Sequence, residues 1–456
     1  MNCIGSLPLT HKDCYNRNDY MTLQTASKLI HASTRPFFPH PRRAGLLLLS
    51  LAMSLSSGCG GDGPADAPAD IYPYSPTVET GRHNVEVLST EAMVPGPAVV
   101  GEAEALNSNN NLDLVRHSDG RVYLAWRTAP DHFAGTETSI HVVSSADEQS
   151  WRHEASFSTG TDLREPRLLS FEAGLFLYIS ELGVERAAFE PMGVYATHLQ
   201  PDGSWSELSP VPGLAGYIVW RTRVEAGQPY MVAYRGGEHI YLFDGVPLEI
   251  ELRTTQDGMN WTPVNAERGP VAVGGGSECD FTLGDDGSLF AVIRNEAGDS
   301  SGFGSYACRA PASDITDWEC HPDPRKFDSP LMFWFDGEAY LVGRRQVTPD
   351  GAFDLGGEHP TLEAHALSNQ LNYSLSPKRC ALWRYLPSEN RFGFILDLPS
   401  QGDTCFPAVI DGANADEVVL YNYSSPIDGP DPKWIEGQGG ETRIYRHVLR
   451  FTPSGR

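Results

Sequence analysis

The chain has 456 residues and a formal net charge of −25 at neutral pH. It contains 45 Gly and 34 Pro, and its residues are 10% aromatic and only 20% charged. This composition is typical of many short strands joined by tight turns. The acidity argues against a general nucleic-acid binder, because such a protein needs a basic face to displace counterions. We expect a monomer.

Residues 1–59 have the pattern of an export signal. A basic segment at residues 41–43 precedes an apolar run at residues 44–55 that is too short to span a bilayer, and small residues follow up to Cys59. The segment resembles a bacterial lipoprotein signal, which implies that Cys59 is lipidated and becomes the mature N-terminus. An ordinary secretory signal that happens to contain a Cys stays open as the alternative.

Residues 60–80 are rich in Gly, Pro, Ala and Asp and have almost nothing to bury. We therefore expect a disordered tether that holds the remaining chain, residues 81–456, away from a membrane. The predicted location is that of an exported, membrane-anchored lipoprotein, periplasmic or at the cell surface. Such a location permits disulfide bonds.

Six similar pairs of strands recur along residues 81–456, and their starts are roughly 50 to 60 residues apart, with one longer gap. The pairs are predicted at residues 112–127, 166–180, 221–235, 279–294, 329–345 and 406–423. A period near 50 with four strands per repeat is typical of a β-propeller. We predict an all-β fold, a six-bladed propeller of four-stranded blades. The last repeat lacks a fourth strand, and the strand at residues 83–89 is predicted to supply it and close the ring.

The cysteines of the domain fit this arrangement. Cys308 and Cys320 flank a predicted hairpin, and Cys380 and Cys405 fall on one rim of the predicted ring. Each bridge would stabilise the fold by about 3 kcal/mol. Cys279 is left over, either as a small buried residue or as a thiol that lines a site.

Turns between third and fourth strands repeat a pattern in which an Asp precedes a Trp. The clearest examples are Ser145 to Trp151 and Thr255 to Trp261, which contain Asp147 and Asp257. An Asp that caps its own turn, followed by a ring that folds over the hairpin, stabilises the turn locally. These turns resemble the Asp-box of the sialidase superfamily of six-bladed propellers. The likeness implies a fold and no particular activity, because Asp-boxes also occur in non-catalytic propellers.

Charged residues concentrate where first strands begin and second strands end, which in a propeller is one face. Second strands end in Arg127, Arg235, Arg294 and Arg345, first strands begin near Arg164, Glu165, Trp220, Arg221 and Glu278, and Arg379 begins a third strand. The arginine side chain presents a planar fork matched to carboxylate or sulfate. We therefore expect an anionic glycan as the ligand, although scattered solvated arginines are the alternative. The long segment at residues 346–378 is a candidate lid over this face.

The sialidase resemblance assigns roles to some of these residues. It implies a Tyr nucleophile at Tyr423 (or Tyr421), activated by Glu278, with Asp131 as acid/base. It also implies two members of an arginine triad at Arg294 and at Arg345 (or Arg344). The roles agree chemically, because a Tyr with an ordinary pKa of about 10 attacks only beside a base. The family's first arginine stands in a Phe/Tyr-Arg-Ile-Pro motif, and residues 109–113 contain no Arg; Arg127 lies one strand later.

Other chemistries lack their motifs. There is no Gly-rich nucleotide loop, no His-Glu-x-x-His and no closely spaced Cys/His set, so we expect neither a cofactor nor a metal. Asp-rich turns such as Asp285-Asp286 could hold calcium, but hairpin turns explain them. The sequence predicts a sialidase-like glycoside hydrolase. A non-catalytic carbohydrate-binding propeller and a scaffold without ligand remain as alternatives.

Overall fold

The computed structural model describes residues 76–97, 99–100, 103–186, 188–348, 353–354 and 359–455. The predicted export signal with Cys59, and all of the predicted tether before residue 76, lie outside these residues. Among the residues that are described, no helix is both long enough and apolar enough to cross a membrane.

Short strands make up almost all of the regular structure. The strands of the first half are β1 (His83–Val94), β2 (Val99–Val100), β3 (Ser108–Arg116), β4 (Val122–Ala129), β5 (Ser139–Ser145), β6 (Trp151–Phe157), β7 (Asp162–Phe171), β8 (Gly174–Leu182), β9 (Pro191–His198), β10 (Ser209–Pro210), β11 (Tyr217–Glu225), β12 (Gln228–Arg235), β13 (Leu248–Thr254), β14 (Thr262–Pro263) and β15 (Ala272–Gly274). A single 3₁₀ turn at Gly237–His239 follows β12.

The described residues of the second half form the remaining strands and two helices. They are β16 (Gly276–Leu283), β17 (Leu289–Asn295), β18 (Ser305–Ala310), β19 (Glu319–Asp323), β20 (Asp328–Phe335), β21 (Glu338–Gln346), α1 (Leu362–Ser374), β22 (Lys378–Leu386), β23 (Arg391–Asp397), β24 (Ala408–Asp411), β25 (Glu417–Ser424), α2 (Trp434–Gln438) and β26 (Arg443–Pro453).

These strands form six sheets, which are the blades of a β-propeller. Blades one to five are β3 to β6, β7 to β10, β11 to β14, β16 to β19 and β20 to β23, in each case in chain order from the inner to the outer strand. The short strands β2 and β15 add to blades one and three. The predicted six-bladed architecture with four-stranded blades is confirmed.

The ring is closed by the N-terminal strand. Blade six has the order β24, β25, β26, β1, and β1 pairs antiparallel with β26 from His83 opposite Pro453 to Val94 opposite Ile444. Backbone hydrogen bonds therefore join the two ends of the domain and leave no open edge there. The strand predicted at residues 83–89 does occupy this place, and it extends to Val94.

Inner strands are buried on both faces, because each blade packs between two others. The second strands β4 and β25 are buried along their whole length. This is why the sequence of these strands shows runs of apolar residues rather than the alternation of a half-exposed strand. The core side chains include Trp126, Trp151 and Trp220, all at most 2% exposed.

The Asp-containing turns cap themselves with their own backbone. Asp147 Oδ1 accepts hydrogen bonds from the N–H groups of Gln149 and Ser150, both at 2.9 Å. Asp257 Oδ1 does the same for Met259 at 2.9 Å and Asn260 at 2.7 Å. These bonds favour the charged carboxylate and hold the pKa of both Asp side chains below the usual value.

Both expected disulfides are present. Cys308–Cys320 joins the paired strands β18 and β19, and Cys380–Cys405 joins blade five to the loop before β24. Cys279 is a free, fully buried thiol inside the core, and burial raises its pKa. Two disulfides indicate a protein of an extracellular or periplasmic compartment.

Candidate functional site

The first strands of the blades begin at one end of the ring, and we call this end the mouth. Bulges shape the first strands there. First strands of five described blades shift register there, between residues 110 and 112, 164 and 167, 219 and 221, 276 and 279, and 328 and 331. Asn111, Glu165 and Ser329 have φ values of 43°, 48° and 50°, a left-handed conformation that is uncommon for side chains other than Gly. Bulges redirect side chains, and they occur often beside active sites.

Six side chains from blades four, five and six meet at the mouth, and we call them the mouth cluster. None of the six is more than 9% exposed. The members are Glu278, Arg294, Asp328, Arg344, Asp403 and Tyr423. Buried charges of this number are stable only when each is paired, so the contacts within the cluster decide its chemistry.

Arg294 organises the half of the cluster on blade four. Its Nη1 atom lies 2.8 Å from Glu278 Oε1 and 3.5 Å from Asp328 Oδ1. The second oxygen of Glu278 accepts a hydrogen bond from the backbone N–H of Ser329 at 2.6 Å. Burial raises the pKa of Glu278 above its usual range, although Arg294 opposes this shift.

Arg344 organises the other half. It donates to the hydroxyl of Tyr423 at 3.3 Å and to the carbonyl of Thr404 at 2.5 Å, and it lies 3.9 Å from Asp328. The hydroxyl of Tyr423 donates in turn to Asp403 Oδ1 at 3.0 Å. Burial raises the pKa of Tyr423 well above its usual value, and the charge of Asp403 adds to the shift.

Helix α1, from the candidate lid at residues 346–378, packs against the mouth cluster. Tyr373 on α1 donates its hydroxyl hydrogen to Asp328 and accepts from Arg344 at 3.3 Å. The ring of Trp434 on α2 packs edge-on against Tyr373, with ring centroids 5.0 Å apart. Tyr373 of α1 and Trp434 of α2 therefore both pack against Arg344, which is 6% exposed.

Arg127 and Arg164 lie beside the cluster and hold a loop. Both pair with Asp162, Arg127 at 2.9 Å and Arg164 at 2.5 Å. Arg127 also donates to the carbonyls of Asp131 and Phe133, and Arg164 donates to the carbonyl of His132 at 2.6 Å. These contacts fix the loop after β4, and His132 in this loop lies 2.7 Å from Asp403 through Nδ1 and Oδ2.

Asp131 points away from this contact. Its carboxylate accepts from Arg186 at 2.7 Å and from the N–H of Phe133 at 2.9 Å. With Arg186, Phe133 and Val184, Asp131 lines a cavity of about 290 Å³. The structure therefore directs His132, the residue after Asp131, toward Asp403 and Tyr423.

Trp220 and Arg221 are buried and contact residues of other blades. Arg221 pairs with Asp113 and Asp280, both at 3.3 Å, and Trp220 Nε1 donates to the carbonyl of Pro330 at 3.3 Å. The charge of Glu165 is among those that raise the pKa values of Tyr423 and Glu278.

Three further arginines proposed to bind the ligand also have partners outside the cluster. Arg345 pairs with Asp397, Arg379 with Asp431, and Arg235, half of whose side chain is exposed, with Glu249. Successive residues of a strand point to opposite faces, so Arg344 faces Tyr423 and Arg345 faces the outer strand of its own blade.

Sequence reasoning missed Asp403 and Tyr373. Asp403 stands just before the first strand of blade six, as Glu278 and Asp328 stand at the starts of first strands in blades four and five. That positional equivalence was the available signal. Tyr373 had no such signal, because it comes from a helix inside an insertion.

Comparisons with known proteins bear on the fold. No protein-family model matches the sequence, and no curated protein matches it. A protein of unknown function from Dyadobacter fermentans is similar over 81% of this chain and 100% of its own, with a TM-score of 0.55 and 14% identity. It supports the fold alone, because the identity is low.

Two enzymes show weaker structural similarity. Trypanosoma rangeli sialidase, in complex with the inhibitor DANA, has a TM-score of 0.48 and 11% identity, and covers 76% of this chain and 55% of its own. Penicillium chrysogenum α-L-arabinanase, complexed with arabinobiose, has a TM-score of 0.45 and 13% identity. The similarity covers 74% of this chain and 92% of the arabinanase chain. Neither value supports an argument about activity. Fold and site together define a six-bladed propeller with a charged, covered mouth.

Proposed function

We propose that the protein is an exported glycoside hydrolase of the sialidase type that acts on an anionic glycan at the mouth cluster. The observation that carries the proposal is the position of the Tyr423 hydroxyl, between the guanidinium of Arg344 at 3.3 Å and the carboxylate of Asp403 at 3.0 Å. A phenol becomes a nucleophile when a base takes its proton, and a cation nearby stabilises the phenolate.

An anionic substrate follows from the chemistry of the same groups. Arg294 and Arg344 carry guanidinium forks that match a carboxylate or sulfate, each pair contributing about 1.5 to 3 kcal/mol. A Tyr nucleophile is neutral before attack, so it does not repel an anionic sugar as a carboxylate nucleophile would.

The resemblance to sialidases also assigns the remaining roles. It gives Glu278 the role of base for Tyr423 and Asp131 the role of acid/base, and both assignments remain predictions. Glu278 forms an ion pair with Arg294 at 2.8 Å. Asp131 belongs to the loop after β4 and borders a cavity beside the mouth.

A non-catalytic carbohydrate-binding propeller is the second candidate. It is favoured by residues 109–113, which lack the first-strand arginine of the family. It is also favoured by Tyr373, whose hydroxyl contacts both Asp328 and Arg344 where a substrate would have to bind.

Turnover by the full chain separates the candidates. We expect hydrolysis of 4-methylumbelliferyl sialoside, or of a sulfated or uronic glycoside, and loss of hydrolysis in Tyr423→Phe. Tyr123→Phe is the matched control, because Tyr123 also donates to an Asp, at 2.9 Å, but at the hairpin turn far from the mouth. Binding on a glycan array without turnover would establish the second candidate. If the protein shows no binding and no turnover, it is a scaffold without a ligand.

The membrane anchor has a test of its own. Lipidation of Cys59 would place the protein on a periplasmic or surface membrane through a tether at residues 60–80. We expect palmitate labelling and detergent-phase partitioning of the full chain, and neither in Cys59→Ser. An unlabelled, aqueous wild-type protein would show that the signal is an ordinary secretory one.

A further inference from the structure

Tyr423, the proposed nucleophile, and Glu278, the base assigned to it, have different hydrogen-bond partners. The two oxygens of Glu278 are occupied by Arg294 at 2.8 Å and by the N–H of Ser329 at 2.6 Å. The hydroxyl of Tyr423 donates to Asp403 at 3.0 Å. The carboxylate in contact with Tyr423 therefore comes from the loop before β24 rather than from β16.

The backbone around Asp403 is fixed in a demanding conformation. Its N–H donates to Ser425 Oγ at 3.1 Å, and its carbonyl accepts from the N–H of Ser425 at 2.9 Å. Gly402 and Cys405 on either side have φ values of 56° and 79°. A Cβ at Gly402 would lie 2.5 Å from Ser425 Oγ, so only glycine fits there. Unusual backbone that is held this firmly is common at functional sites.

The side chain of Asp403 is held as firmly as its backbone. Asp403 is fully buried, and its second oxygen lies 2.7 Å from His132 Nδ1. Arg164 keeps His132 in place by donating to its carbonyl at 2.6 Å. One oxygen of Asp403 thus serves Tyr423 and the other serves His132, the arrangement of a base oriented by a third group.

We infer that Asp403 is the residue that accepts the proton of Tyr423, and that His132 is a positioning residue for Asp403. The inference rests on the proposed glycoside hydrolase function and changes the residue that performs the first proton transfer. Glu278 then belongs to the ion pairs that surround the substrate anion.

The step balances in atoms and electrons. The Tyr423 oxygen forms a bond to the anomeric carbon while its proton moves to Asp403 Oδ1. The glycosidic C–O bond breaks, and its electron pair leaves with the aglycone oxygen, which takes a proton from the general acid. Water then attacks the anomeric carbon and gives its proton to that acid's conjugate base, while the Tyr423 oxygen leaves and recovers its proton from Asp403.

The charges around the two carboxylates agree with this division. The charged or titratable groups that act on Asp403 are His132 from the loop after β4, Arg344 on β21 and Tyr423 on β25. Burial raises the pKa of Asp403, but these groups outweigh burial and leave it below the usual value. The pKa of Glu278 is raised. Asp403 is therefore ionised over a wider pH range than Glu278.

The test compares Asp403→Asn with Glu278→Gln in the full chain. We expect Asp403→Asn to lower kcat by about 100-fold or more with little change in KM. Asp119→Asn is the matched control, since Asp119 accepts from Tyr123 at 2.9 Å outside the mouth, and it should retain wild-type kcat. Glu278→Gln should raise KM more than it lowers kcat.

The pH profile supplies a readout that a merely structural role would not move. Because His132 lowers the pKa of Asp403, His132→Gln should raise that pKa and shift the acidic limb of kcat/KM to higher pH. This measurement also decides the question if Asp403→Asn fails to fold.

The outcomes distinguish failure of this inference from failure of the proposed function. An Asp403→Asn variant within about threefold of wild type, with turnover lost in Glu278→Gln, would overturn the inference and leave the proposed function intact. An unshifted acidic limb in His132→Gln would also overturn it. A wild-type protein that hydrolyses no anionic glycoside would overturn both.

Discussion

Tyr373 on α1 donates its hydroxyl hydrogen to Asp328 at the start of β20, so a side chain from an insertion contacts the mouth cluster. The same hydroxyl accepts from Arg344 at 3.3 Å. Asp328 also pairs with Arg294 on the other side. A single phenol therefore touches both halves of the mouth cluster.

Removing this hydroxyl should loosen the cover. We expect Tyr373→Phe to increase the association rate of a glycan ligand and to lower the free energy of unfolding by about 1 to 3 kcal/mol, because Arg344 and Asp328 lose a buried partner. Stopped-flow binding and thermal melting measure the two effects. Tyr385→Phe is the control, since Tyr385 bonds to Asn390 at 2.5 Å away from the mouth. An unchanged association rate would show that α1 does not limit access.

The fork of Arg344 should matter more than its charge. Arg344→Lys keeps the positive charge but cannot contact Tyr423, Thr404 and Tyr373 together. We expect KM for an anionic glycoside to rise by about 10-fold to 100-fold, the equivalent of one lost bidentate pair. Arg253→Lys, on the outer part of blade three, is the comparison and should leave KM unchanged. Equal effects of the two variants would place the anion elsewhere.

His447 should make the fold sensitive to acid. It is fully buried on β26, and burial lowers its pKa to about 4, against about 6.5 in the unfolded chain. The folded state binds fewer protons than the unfolded state. The contribution of the neutral His447 ring to the free energy of unfolding is therefore complete above pH 6.5 and is lost as the pH falls toward 4. At pH 5 this loss is about 2 kcal/mol.

The variant His447→Gln tests this effect. Its melting temperature should fall less than that of the wild type between pH 7.5 and pH 5. His198→Gln removes an exposed imidazole and should follow the wild type. A parallel decline in all three proteins would mean that His447 does not titrate in this window.

The two disulfides should differ in their effect on the site. Replacing Cys380 and Cys405 by Ser removes a link with a sequence separation of 25 residues and should lower the free energy of unfolding by about 3.5 kcal/mol. It should also lower turnover, because Cys405 follows Asp403 by two residues. Replacing Cys308 and Cys320 should cost about 3 kcal/mol in stability and leave turnover intact. Unchanged turnover in both variants would mean that the bridge at Cys405 does not hold Asp403.

The fold could be predicted because its determinants are local and repeated. Each blade contains the same hairpin, so six copies indicate the architecture even where one copy is unclear. Ring closure followed from an unpaired strand at one end and a missing strand at the other.

The site was predictable only in part, because bulges decide which side chains face the mouth. A shift of one residue exchanges the faces of a strand, and so Arg344 rather than Arg345 meets Tyr423. Asp403 lies in a loop whose direction depends on Gly402 and on the bridge at Cys405. The buried residues of helix α1, Ala366, Asn369 and Tyr373, have helical spacing, but the sequence shows little apolar periodicity there because Asn369 is polar.

Identification of the residue that becomes glycosylated tests the central claim most directly. The full chain is incubated with 2,3-difluorosialic acid, or with the matching fluorosugar of the glycan it hydrolyses, and peptides are mapped by mass spectrometry. We predict one adduct on the peptide that contains Tyr423, and none in Tyr423→Phe. Hydrolysis without an adduct on Tyr423, or an adduct on Glu278, would contradict the account.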